Sequence, residues 1–346
     1  EKNRSIEVFF EENQSNEWQL CSKATVSSHY EQSKIICDPD FFKKESKRVF
    51  RGINMPLVSI VIPAYNSSKV IKATLLSVID QTYSNIEVII VDDYSDDFLA
   101  LSALIDSLND TRINLHRLKE KGNGAIARNY GASLSKGSVL CFLDADDIWE
   151  TSKIKLQLDV LDKAGNNAVI TCRSRVINDG KIEKVSSKYD SSLDVANNLF
   201  GSLEHNLIFQ TSTIMMYTSF FLKVGGYDPN LFRHQDYQLA FSLEEGGAEF
   251  HFLDEALSNY IKTKEVDISK KGWSIQRSGY FIEQYISYFS HSSLRNFLVV
   301  QLLGPSIKTK ALKSWFHLRK IAKVRSYALL FTSGVYLCKR LLKKLL

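Results

Sequence analysis

Between Pro56 and Cys172 the chain alternates short apolar runs with longer stretches in which apolar residues recur every three or four positions. The runs LVSIVI (57–62), IEVIIV (86–91), INLHRL (113–118), SVLCFL (138–143) and AVITC (168–172) are short and rich in β-branched residues. They predict buried strands. Between them, helices are predicted around Ile71, Leu75, Val78 and Ile79, around Phe98, Leu101, Leu104, Ile105 and Leu108, and from Gly124 through Ser135. A fourth is predicted around Ile154, Leu158 and Leu161. Strands alternating with helices imply an α/β fold with a mainly parallel sheet covered on both faces. Ligands of such sheets bind beyond the carboxyl ends of the strands. That rule selects the loops Pro63–Asn66, Asp92–Asp97 and Asp144–Asp147, with Arg128 and Asn129 on the helix that opens at Gly124.

The flanks read differently. Residues 1 to 55 are mixed in character, with weak strands expected near Ile6–Phe10 and Gln19–Val26. They form an N-terminal extension of unclear fold, an accessory segment or the remainder of an upstream domain. From about Val266 the pattern becomes helical and basic. The expected organisation is therefore 1–55 extension, 56–265 α/β domain and 266–346 helical region.

Charge sharpens that division. The net charge is +5, yet residues 284 to 346 hold twelve Lys or Arg and no Asp or Glu, which leaves −7 on residues 1 to 283. An acidic body with a basic tail suits an anionic surface as partner of the tail, and does not suit a nucleic-acid-binding core. CKRLLKKLL (338–346) clusters leucines beside Lys and Arg, as an amphipathic helix on an anionic membrane would. A packed or dimeric helix end is the alternative. The five cysteines form no C-x-x-C pair and are odd in number, which argues against a disulfide framework or a zinc site. No signal peptide is visible, and the longest apolar stretches fall short of the ~20 residues that a spanning helix needs. A cytoplasmic protein, peripheral at the inner face of the membrane, is expected.

FLDADDIW (142–149) places Asp144, Asp146 and Asp147 directly after an apolar strand. Three carboxylates there repel one another and lose hydration. A divalent cation would offset the repulsion, and Mg2+ or Mn2+ takes carboxylate oxygens while leaving positions open for phosphates. The plainer alternative is a solvated acidic turn in which Asp147 caps the next helix, with Asp96 capping its own. EF-hand spacing, a G-x-x-x-x-G-K-[ST] loop and a G-x-G-x-x-G fingerprint are all absent.

VSIVIPAYNSS, VIIVDDYSDD, GAIARNYGASLSKGSVLCFLDADDIW and VGGYDP…RHQDYQLAF resemble, in order and approximate spacing, the family 2 glycosyltransferases of GT-A fold. The flavour is that of bacterial enzymes building lipopolysaccharide or capsule. The resemblance spans about Leu57 to Tyr260. It implies a nucleotide pocket lined by Pro63, Ala64, Tyr65 and Asn66, with Asp93 on the base and Arg128 nearby. It also implies a D-x-D pair in which Asp146 binds Mn2+ or Mg2+ and Asp144 faces the ribose or the metal. Asp236 stands where the family keeps its catalytic base. The commoner form there is Glu-Asp, and here the first position is Gln235.

Inverting transfer needs one base for the acceptor hydroxyl and stabilisation of the departing diphosphate. Those needs match this set, whereas a retaining hydrolase needs two carboxyls ~5 Å apart. The expected partners are a nucleotide-sugar donor, with UDP as the nucleotide that the resemblance implies, and a glycan or lipid-linked acceptor. A sugar-phosphate nucleotidyltransferase would carry a Gly-rich basic loop where PAYN stands. A non-catalytic glycan- or nucleotide-binding module would not need Asp146 and Asp236. Gly225 to Pro229 reads as a turn before Asp236. His205, His234 and His251 lack metal-ligand spacing, although His234 neighbours the base and is a candidate for the acceptor site. Trp273 is a candidate sugar platform or a packing residue.

Overall fold

A computed structural model of the chain describes residues 10–12, 18–20, 55–203, 209–262 and 275–303. In the N-terminal extension, β1 (Phe10–Glu12) pairs antiparallel with β2 (Trp18–Leu20). These strands overlap the expected runs only at their edges.

The main sheet contains β3 (Val58–Ala64), β4 (Ile86–Asp92), β5 (Ile113–Arg117), β6 (Val139–Phe142) and β7 (Asp147–Trp149). It continues with β8 (Ala168–Asn178), β9 (Lys181–Val185), β10 (Met215–Tyr217) and β11 (Glu249–Lys262). The order is β5-β4-β3-β6-β10-β8-β11-β7, with β9 on β8. The first four strands in that order are parallel, as the strand–helix alternation predicts. Beyond them the sheet is mixed. β10 runs against both β6 and β8, whereas β11 is parallel to β8 and antiparallel to β7.

Burial explains the parallel half. Every residue of β4 is buried, so IEVIIVD is covered on both faces. It buries two carboxylates, Glu87 and Asp92, and Glu87 accepts from Ser59 Oγ at 2.5 Å and the Lys136 amide at 2.6 Å. One face is covered by α1 (Ile71–Ile79), α2 (Phe98–Leu108) and α4 (Lys153–Leu161), whose Leu75, Leu101 and Leu158 join Ile60, Ile90 and Cys141. The other is covered by α3 (Gly124–Leu134), α6 (Thr218–Lys223) and α7 (Gln235–Glu245), around Val61, Phe142, Phe221, Tyr227 and Leu239.

A third core is aromatic. It joins α5 (Val195–Phe200) and α7 to α8 (Ile275–Tyr285) and α9 (His291–Phe297). Phe241, Phe281 and Phe297 are fully buried there, with Phe281 and Phe297 stacked at 5.5 Å. Burying a phenylalanine contributes about 1.5–3 kcal/mol. The first helices of the expected C-terminal region therefore share a core with the helix that carries Asp236. Among the described residues no helix is long and apolar enough to cross a membrane. CKRLLKKLL lies outside the described residues.

Candidate active site

Hydrogen bonds zip the first two strand-end loops together. Pro63 and Ala64 complete β3, Tyr65 is half exposed, and Asn66 adopts a left-handed φ of 48°. The Asn66 amide donates to Ser95 Oγ at 2.9 Å, and Asn66 Oδ1 accepts the Asp96 amide at 2.9 Å. The Asp93 amide donates to Ala64 O at 2.7 Å. Asp97, rather than Asp96, is the residue at the start of α2. Its Oδ2 accepts the Ser68 amide at 2.8 Å, so it bonds the first loop and does not cap its own helix. The buried Asp93 carboxyl accepts the Gly122 amide at 2.6 Å. Burial pushes it up to about 6, against the pull of that amide and of Lys121. The Lys121 ammonium lies over the Tyr65 ring.

The third loop opens α3. Asn123 caps the helix by accepting the Ala125 and Ile126 amides at 2.8 and 3.2 Å, and its Nδ2 donates to Pro229 O at 2.7 Å. Asn129 pairs with the Tyr227 backbone on both sides, at 2.7 and 2.9 Å. From α7, Gln238 accepts the Asp228 amide at 2.9 Å and donates to Gly226 O at 3.2 Å. The Gly225–Pro229 turn is thus clamped between α3 and α7. Gly226 has φ 68°, and a Cβ there would lie 2.7 Å from Asn129 Oδ1, so both conformation and space require glycine.

The D-A-D-D loop separates its three carboxylates. Asp144 meets Arg128 Nη2 at 2.5 Å, while Arg128 Nη1 donates to Gln235 Oε1 at 2.8 Å. Asp146 is pushed up to about 6 by burial and by Asp144. Asp147 is buried in β7 and does not cap a helix, because α4 begins only at Lys153 after the β7 strand intervenes. Its Oδ2 accepts from Ser212 Oγ at 2.5 Å. Burial, then Asp144 and Asp146, holds this carboxyl well above the usual range, against the pull of Ser212 and the Ile261 amide.

Ser212 lies on a single helical turn, Thr211–Thr213, fixed from below. Trp149 Nε1 donates to Ser212 O at 2.7 Å, and Gln157 Nε2 to Thr213 O at 2.8 Å. Lys153, fully buried, donates to Gln157 Oε1 at 2.6 Å and sits 3.9 Å over the Trp149 ring. Burial lowers its pKa.

Asp236 stands in the first turn of α7 and accepts the Tyr237 amide at 3.0 Å. Burial raises its carboxyl to about 6. Asp144 adds to that rise while the Tyr237 amide and Arg128 oppose it, so Asp236 lies within electrostatic reach of the Arg128–Asp144 pair. His234 is buried, stacks on Tyr237 at 5.3 Å and lies 2.9 Å from Ser278 Oγ, which gives it a packing role. His251 lies on β11, outside this cluster. His205 and Trp273 lie outside the described residues.

Among the described residues no cluster of three carboxylate, His or Cys side chains could hold a cation. Asp147 is committed to Ser212 and Asp144 to Arg128, which leaves Asp146 as the uncommitted member of the loop. Such a partial set fits Mg2+ or Mn2+, which is commonly held by one or two carboxylates plus substrate phosphates.

Residues 59–227 match the family described as glycosyl transferase family 2. The chain is 34% identical over 233 residues to the amylovoran biosynthesis glycosyltransferase AmsB of Erwinia amylovora, covering 65% of this chain and 76% of that one. The chain belongs to glycosyl transferase family 2. This glycosyltransferase is also 42% identical over 108 residues to the UDP-Glc:alpha-D-GlcNAc-diphosphoundecaprenol beta-1,3-glucosyltransferase WfaP of Escherichia coli, covering 31% of this chain and 42% of that one. Its fold matches that of S. aureus TarS 1-349 in complex with UDP-GlcNAc, with a TM-score of 0.55 at 17% identity over 70% of this chain and 72% of that one. That likeness concerns the fold. The family match ends at residue 227, before α7, so Asp236 stands on its geometry.

Four residues of the glycosyltransferase's site had no place in the sequence reading: Asn123, Ser212, Gln238 and Lys153. Asn123 was visible in principle, as an Asn directly before a helical run. Ser212 carries no local signal, since its partner Asp147 is 65 positions away.

Proposed function

We propose that this protein is an inverting glycosyltransferase that moves a sugar from a UDP-linked donor to a hydroxyl of a glycan or lipid-linked acceptor in bacterial surface polysaccharide synthesis. One observation carries the reading. A carboxylate with a pKa of about 6, Asp236, stands within electrostatic reach of the Arg128–Asp144 pair at the carboxyl edge of a parallel sheet. A base must be deprotonated near neutral pH yet still bind a proton appreciably, and a pKa near 6 meets both needs.

In this reading Asp236 takes the proton of the acceptor hydroxyl. The hydroxyl oxygen forms its bond to the anomeric carbon on the face opposite the diphosphate. The bond from that carbon to the phosphate oxygen breaks, and the electron pair leaves with the nucleoside diphosphate. Asp93 and the Pro63–Asn66 loop hold the nucleotide, and Arg128 stands beside its phosphates. A divalent ion held by Asp146 and Asp144 would neutralise charge on the leaving diphosphate. A nucleotidyltransferase reading is weaker, because the loop after β3 (65–70) has no glycine and a single basic residue, Lys69, in place of a Gly-rich basic loop that would cradle a triphosphate. Retention of both Asp146 and Asp236 favours an enzyme over a binding module.

The name of WfaP supports a lipid-linked acceptor, and the twelve basic residues of 284–346 support a place at the inner face of the cell membrane. Titration with UDP, with and without Mn2+, followed by assay of a panel of UDP-sugars and determination of the product anomer, tests the reading. Absence of nucleotide binding, or a product that retains the donor's anomeric configuration, would refute it. Sedimentation with anionic vesicles, before and after removal of Cys338–Leu346, tests the membrane role. Equal sedimentation of the two forms would refute it.

A further inference from the structure

Gln235 is the one position in this site where the chain departs from the commoner Glu-Asp pair, and its surroundings are built for an amide. Its Nε2 donates to Leu231 O at 2.5 Å and lies 3.5 Å from Asn123 Oδ1. Its Oε1 accepts from Arg128 Nη1 at 2.8 Å. A glutamate could not donate to the Leu231 carbonyl and would set two oxygens against each other there. Space is also reserved for the contact. A Cβ on Gly124, the first residue of α3, would lie 2.8 Å from Arg128 Nη1 and 3.1 Å from Gln235 Oε1.

Arg128 is itself confined. It is 8% exposed, its guanidinium faces the Tyr227 ring at 5.3 Å, and its Nε has no hydrogen-bond partner. Its position is therefore decided by the two groups at its tips, Asp144 on one and Gln235 on the other. A charged acceptor outcompetes a neutral one for a guanidinium. With glutamine at 235, Arg128 and Asp144 sum to zero charge. With glutamate they would sum to −1, beside a diphosphate that is itself anionic.

We propose that Gln235 is a positioning residue for the donor diphosphate: it holds the Arg128 guanidinium at Asp144 through a neutral contact and so keeps this side of the site free of a second negative charge. The proposal rests on the glycosyl-transfer reading, and it assigns Gln235 to the donor rather than to assistance of the neighbouring base.

The test uses the full chain and two variants, Gln235→Glu and Gln235→Met, with UDP as probe and calorimetry as readout at low and high salt. Q235E is expected to bind UDP about tenfold more weakly at low salt, with the deficit shrinking as salt rises. Q235M keeps the length and adds no charge, and is expected to lose only about threefold, independent of salt. In turnover, Q235E is expected to raise the donor KM more than it lowers kcat. Melting curves check that both variants fold, and Q235M carries the test should Q235E fail to. UDP binding by both variants equal to that of the wild type overturns the proposal. So does an equal loss in both at every salt concentration, which would mark packing rather than charge. A wild-type protein that binds no nucleotide sinks the underlying reading as well, and is thereby distinguished from failure of the Gln235 assignment alone.

Discussion

Ser212 Oγ donates to Asp147 Oδ2 at 2.5 Å, and Ser212 Oγ in turn accepts the Asp144 amide at 3.1 Å. One side chain thereby fixes both ends of the D-A-D-D run and makes Asp147 a structural carboxylate. Ser212→Ala would strip that buried carboxyl of its hydroxyl donor. We expect a loss of about 1–3 kcal/mol in denaturant unfolding. Asp147→Asn, which preserves shape and still accepts from Ser212, should cost less. The assignment fails if Ser212→Ala unfolds like the wild type.

Asp236→Asn keeps the volume of the proposed base and removes its proton affinity. Transfer should fall on the order of 100-fold or more, with UDP affinity unchanged. Single-turnover assay with calorimetric UDP binding separates these outcomes. Near-normal turnover of a verified variant removes Asp236 from the mechanism.

The pKa of about 6 at Asp236 sets a pH dependence. The base works deprotonated, so kcat/KM for the acceptor should fall as pH drops through about 6 and be level above it. Residual activity of Asp236→Asn should lack that limb. The idea does not survive an acid limb that persists unchanged in the variant.

Asp146 makes the opposite demand on the fold. Its carboxyl is raised to about 6, above the ordinary value of about 4, so the folded chain binds the proton more tightly than the unfolded chain does. Its charged form therefore costs stability at neutral pH, and the cost fades as pH falls from about 6 to about 4. Asp146→Asn should raise the melting temperature near pH 7.5, lose the gain toward pH 4, and weaken Mn2+-dependent UDP binding. A variant no more stable than the wild type at pH 7.5 contradicts this account.

The sequence made the parallel half of the fold legible because its signals are local. Ile71, Leu75 and Val78 mark a helix face by spacing alone, and the continuous burial of β4 shows as an unbroken apolar run. β7 and β10 were not legible, since three residues carry no period and both exist through pairing with distant strands. The cap readings of Asp96 and Asp147 failed for a related reason. An Asp after a strand looks like a helix cap, and only the fold puts Asp97 in place of Asp96 at the start of α2 and supplies Ser212 as the partner of Asp147. The strand-end rule did gather Asp93, Arg128, Asp144 and Asp146 at one edge. The link from Arg128 to Gln235 spans 107 positions and could not be read from either residue.

The aromatic core beneath α7 has a consequence for how this enzyme divides. Phe241 on α7 packs against Phe281 and Tyr288, which lie beyond the point where composition alone would end the catalytic domain. A chain cut at residue 265 would keep the strand-end loops that surround Asp93, Arg128 and Asp144 but strip the support from the helix that presents Asp236. In the proposed mechanism, grasping the donor and delivering it are thus entrusted to different lengths of the polypeptide. A fragment ending at 265 should behave as a nucleotide receptor that has forgotten its reaction.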